Sequence, residues 1–103
     1  MLDAPAVLVL VNDADQRERV RKRLIELEVV PIPVRADRAV AAVEQYRPIA
    51  ALLDEAHAAM APDDFLETTC THHVRLLTLP DPPYDASIGD SVLESAAATR
   101  MWQ

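Results

Sequence analysis

Three apolar runs in this chain end in side chains that could do chemistry together. Residues 6–11 (AVLVLV) close on Asn12 and Asp13, residues 49–53 (IAALL) on Asp54 and Glu55, and residues 74–79 carry Thr78 near their end. If these runs are parallel strands, their carboxyl ends share one rim, where open α/β sheets bind ligands. Clustered carboxylates repel unless a cation sits among them, and an oxygen-rich set suits Mg²⁺. A hydroxyl beside them would hydrogen-bond an anionic group carried on an aspartate. The same carboxylates have a plainer use, since a strand-end acid often caps the next helix.

Cys70, His72 and His73, with the more distant His57, are also metal-ligating types. Cys-x-His-His lacks the paired spacing of a zinc site, and neighbours on a strand point to opposite faces. Surface histidines flanking a strand are therefore expected. Cys70 and His72 have no orienting third group or oxyanion loop to make a nucleophilic pair. The single cysteine excludes an intramolecular disulfide, and the single glycine, Gly89, excludes Walker and dinucleotide phosphate loops.

Periodicity defines the elements that must position the rim. Residues 6–11 form a continuous apolar run, as expected of a strand covered on both faces. Residues 15–28 carry Val20, Leu24 and Leu27 on one helical stripe. Residues 29–34 read as a strand whose Pro31 and Pro33 aim missing N–H groups to the same side. Such a strand pairs through one side only and belongs at a sheet edge. Asp37 is placed to cap a second helix bearing Val40, Val43 and Tyr46 or Arg47 on one face, ended by Pro48. After the third strand, Asp63 and Asp64 begin a short helix through Thr68, acidic where the helix dipole favours it. Residues 74–79 make a fourth strand, and Pro80, Pro82 and Pro83 stiffen the connector beyond it. A last helix starts at Ser87 or Ser91, the latter opening the capping box Ser91-Val-Leu-Glu94, with Leu93, Ala97 and Met101 as its buried stripe. The order β-α-β-α-β-α-β-α predicts a parallel sheet between two helix layers.

Val-Leu-Val-Leu-Val-Asn12-Asp13 with an Arg-rich helix after it resembles the start of a response-regulator receiver domain. Ile-Ala-Ala-Leu-Leu-Asp54 is similar to that family's third strand with its phosphoacceptor aspartate, and Leu-Leu-Thr78 to its fourth strand with the switch hydroxyl. The resemblance covers about residues 6–79. It implies a flavodoxin-like α/β/α fold with a parallel sheet of order 2-1-3-4 and strand two at an edge, where the prolines also put it. It implies phosphorylation of Asp54, Mg²⁺ held by Asp13, Asp54 and the Ala56 carbonyl, and phosphoryl contact by Thr78. Asn12 stands where the family usually has another acid. A histidine kinase or an output domain is the implied partner.

The departures point toward an atypical, shortened receiver. Its lysine after the fifth strand has no counterpart, because the sole lysine is Lys22 in the first helix, and Arg100 is a poor steric substitute. Residues 79–103 are too few for a helix, a strand and a helix, so the fifth strand is missing or its role falls to residues 74–80. A strand left bare would invite a second copy to pair or swap its last helix, and Trp102 would pack on the core or anchor a partner.

Half the residues are apolar and 26% are charged, as in one globular domain over 1–103, with residues 80–103 as connector and helix. Arg17, Arg19, Arg21, Lys22 and Arg23 are five of the ten cationic residues, read as a solvated helix face before a docking patch for an acidic partner. The net charge of −7 argues against nucleic acid, and no run is long enough for a membrane span, so a cytoplasmic location is expected. The expected function is a non-enzymatic receiver-like signalling domain working by protein contact or dimerisation, without normal phosphoswitching. A working phosphoacceptor is the alternative. Metal-assisted hydrolysis at Asp13, Asp54 and Glu55 is weakest, since no general base can be named.

Overall fold

The structure, a computed structural model, describes residues 5–79 and 86–99. Strand β1 (Ala6–Leu10), helix α1 (Ala14–Glu26) and β2 (Val30–Pro33) lead through a 3₁₀ turn (Ala36–Arg38) into α2 (Ala39–Tyr46). Then come β3 (Ala50–Asp54), α3 (Glu55–Ala59), α4 (Asp63–Thr71), β4 (Arg75–Leu79) and α5 (Ala86–Ala98). The four strands form one parallel sheet in the order β2-β1-β3-β4.

Strand alternation divides the core into two layers. Val7, Val9 and Leu52 pack with Val20 and Leu24 of α1 and Leu93, Ala96 and Ala97 of α5. Leu8, Leu10, Ala51 and Leu53 pack with Ala39, Ala42 and Val43 of α2 and Phe65 of α4. Every residue of β3 is buried, the reason its sequence shows no polar alternation. The last helix docks on its own sheet. Arg23 pairs with Glu94 at 3.3 Å, and the Arg75 Nη1 donates to the Ser95 carbonyl at 3.2 Å. No helix among the described residues is long and apolar enough to cross a membrane.

The edge strand β2 hydrogen-bonds as its prolines require. Val30 N–H donates to Pro5 (2.8 Å) and Val34 N–H to Val9 (3.1 Å), leaving Pro31 and Pro33 turned outward. At the other edge, Arg75 N–H donates inward to Ile49 (3.2 Å), so Leu76 and Thr78 turn their backbone groups away from β3. Leu76 is 39% exposed.

With its single glycine elsewhere, the chain ends its helices on other residues. Glu28 (φ 65°) and His73 (φ 58°) are left-handed. After α1, Glu28 N–H bonds to Ile25 (3.0 Å) and Val29 N–H to Leu24 (3.1 Å). After α4, His73 N–H bonds to Cys70 (3.2 Å) and Val74 N–H to Thr69 (2.8 Å). Both are Schellman motifs, each with a side chain where glycine is usual. Arg47 (φ 48°) closes α2 on the Val43 carbonyl at 3.0 Å, just before Pro48.

Several local expectations are corrected. Asp37 does not cap α2; it lies in the 3₁₀ turn and pairs with Arg35 at 3.4 Å. The buried stripe of α2 is Ala39, Ala42 and Val43, with Tyr46 exposed. Ser91 cannot cap α5, which begins five residues earlier at Ala86. His72 and His73 do flank a strand as expected, in the turn between α4 and β4. A short helix, α3, for which the sequence reading gave no element, lies between β3 and α4. Arg100, Met101 and Trp102 lie outside the described residues.

Candidate functional site

The adjacent carboxyl ends of β1 and β3 meet at Asp54, the last residue of β3. Asp54 is the N-cap of α3, and its Oδ1 accepts the backbone N–H of His57 at 2.8 Å. His57, three residues on, also returns its ring: Nδ1 lies 2.7 Å from the same oxygen. Backbone and ring of His57 thus both meet the cap's side-chain oxygen, unlike a capping box, whose third residue returns to the cap's backbone N–H. Oδ2 accepts the Asn12 N–H at 2.8 Å, across from β1. One carboxylate thus ties together two central strands and the helix α3.

These contacts set the electrostatics. Burial (Asp54 is 5% exposed) pushes its carboxyl upward, but the Asn12 and His57 N–H groups and the His57 ring outweigh this and hold it below the usual carboxylate range. An ionised carboxylate only accepts, so Nδ1 of His57 carries the proton and Nε2 is left for other partners.

The other rim residues are not gathered around Asp54. Asp13 is exposed and caps α1, accepting the Asp15 N–H at 2.9 Å. The Ala56 carbonyl accepts the Met60 N–H at 3.2 Å within α3. Thr78 is exposed and pairs with Leu53, while the position opposite Asp54 is the buried Leu79. A one-residue offset reverses a side chain's face, so Thr78 stands on the opposite side of the strand from Leu79.

The Mg²⁺ set of Asp13, Asp54 and Ala56 does not fit this arrangement. Both Asp54 oxygens take N–H donors, Asp13 is a helix cap, and Asn12 supplies no charge. Among the described residues no group of three or more His, Cys, Asp or Glu could hold a metal ion. Cys70 is exposed on α4, and the His72 Nδ1 lies 3.3 Å from Arg47 Nη1.

Two clefts open on this rim. An apolar one of about 220 Å³ lies between α2 and the α3–α4 segment, and a more polar groove of about 420 Å³ lies beyond the ends of β1 and β2. Asn12, Ala36 and His57 line both. His57 entered the sequence reading only as a metal-ligating type and not as the partner of Asp54, although its i+3 spacing from a capping aspartate was visible.

No family model matches the chain, and no curated protein matches it in sequence. Among solved structures it is similar to one described as a transiently phosphorylated "switch" in bacterial signal transduction, with a TM-score of 0.63 and 16% identity over 97% of this chain and 99% of that one. At that identity the likeness is one of fold. The parallel 2-1-3-4 sheet between two helix layers is the flavodoxin-like fold of receiver domains.

Proposed function

We propose that the chain is a receiver-like signalling domain that acts through protein contact, without turnover and without a phosphoswitch at Asp54. The observation that carries this reading is the state of the Asp54 carboxylate, whose two oxygens both serve as acceptors for N–H groups of Asn12 and His57. Transfer of a phosphoryl group would displace the donors of the oxygen that receives it, Asn12 on Oδ2 or His57 on Oδ1. It would also raise the local charge from about −1 to about −2 with no lysine on the rim to meet it, a charge-assisted contact worth about 1.5–3 kcal/mol. The fold of the similar bacterial switch supports the signalling role. The partner is a protein, including a second copy meeting the first across the outer edge of β4.

The test is titration with beryllofluoride and Mg²⁺, monitoring amide NMR shifts in the native chain and in Asp54→Asn. The expected result is no saturable change in either. A saturable response at the rim that disappears in Asp54→Asn would overturn the proposal and make Asp54 a phosphoacceptor fed by a histidine kinase. Sedimentation equilibrium across a concentration series tests the second-copy contact, which a monomer at all concentrations would refute.

A further inference from the structure

We propose that the rim binds a small monocarboxylate with a short apolar tail, the tail lying beside Phe65 and the carboxylate at Arg17. The two clefts adjoin, with Asn12, Ala36 and His57 in the lining of both, so a single ligand laid across these residues would reach each. The apolar cleft, lined by Leu10, Leu53, Met60 and Phe65 among others, has a volume of about 220 Å³. That is the space of about seven waters, and close to that of a chain of six to eight carbons. The other is lined by Arg17, Arg35 and Asp37.

Charge complementarity chooses the head group. The chain carries a net charge of −7, yet two arginines, Arg17 and Arg35, line this one groove. Arg17 is anchored, its Nη1 donating to the Val11 carbonyl at 3.3 Å, which uses one of its five N–H donors. Among the described residues Arg35 is engaged only by Asp37, at 3.4 Å and largely in solvent, a pair weak enough for a ligand carboxylate to displace. Asp13, Asp15 and Asp54 line neither cleft. At the junction, His57 has its Nδ1–H committed to Asp54, leaving Nε2 as the ring's polar atom for a ligand. A planar carboxylate matches the arginine fork, and the apolar cleft takes the hydrocarbon tail attached to it.

The site does not depend on the signalling role proposed above, and its failure would leave that reading standing. The test titrates octanoate, with octan-1-ol as the uncharged control, into the full chain and monitors backbone amides. Expected are saturable shifts centred on Asn12, Ala36, His57 and Phe65, with octanoate bound more tightly than octan-1-ol. Arg17→Gln weakens octanoate about tenfold and leaves octan-1-ol unchanged. Ala36→Leu, which plugs the junction from an exposed position, weakens both. Arg35→Gln serves as the second charge variant if Arg17→Gln disturbs the fold. The absence of saturable shifts at millimolar octanoate, shifts centred elsewhere, or equal octanoate binding in both charge variants would overturn the proposal.

Discussion

Replacing Asp54 by asparagine separates a structural staple from a reactive acid. In a pocket of crowded carboxylates the exchange relieves repulsion and leaves stability level or raised. Here the carboxylate faces donors on both sides: the Asn12 N–H at 2.8 Å on Oδ2, and the His57 N–H and Nδ1 at 2.8 and 2.7 Å on Oδ1. An asparagine has one acceptor oxygen, so whichever way its amide turns, an NH₂ group confronts a donor. At least one charge-assisted bond is lost, worth about 1.5–3 kcal/mol, and the remainder weaken because the acceptor is no longer charged. Water can reach the exposed Asn12 and offsets part of this, leaving a loss of about 2 kcal/mol. For a domain of this size that lowers Tm by about 10 °C. The same contacts fix the sign with pH. The folded-state pKa lies below the unfolded one, so the stabilisation is complete above the unfolded value and is lost as pH falls through the folded one. Urea unfolding of both proteins should therefore show a constant gap from neutral pH down to about 5, closing below about 4. An asparagine variant as stable as the native chain, or a gap that persists undiminished in acid, would refute the reasoning.

Two further substitutions probe the frame around the site. Leu24→Ala, at a fully buried position of α1, should cost about 2–5 kcal/mol, read as a lower urea midpoint with an unchanged slope. His73→Gly should raise stability by about 0.5–1 kcal/mol, because the left-handed backbone at φ 58° suits a residue without Cβ; calorimetry on the pair checks it.

The frame was legible where one physical cause dominated. Pro31 and Pro33 left strand two a single pairing side, which fixed its edge position. The unbroken apolar runs before Asn12 and Asp54 required cover on both faces, and both strands are central. Site detail was less legible because several local outcomes fit the same letters. An aspartate at a strand end serves equally as acceptor, metal ligand or cap, and the letters do not show that the Asn12 N–H and the His57 ring come to its oxygens. Thr78 sits between Leu77 and Leu79, so a one-residue slip was invisible until the Schellman turn at His73 set where β4 starts. Asp37 and Ser91 had the residue types of caps, but a 3₁₀ turn absorbs the first and a longer α5 engulfs the second.

The unlike edges of the sheet bear on how large an assembly it could build. Strand addition to β2 would need N–H donors at Pro31 and Pro33, which have none, whereas β4 turns outward the N–H groups of Leu76 and Thr78. A sheet that accepts a neighbour on one flank alone has no second flank from which to continue. Edge-to-edge pairing through β4 would use up the growing end in each copy at once. It would therefore stop at two, giving a closed pair in place of a fibre.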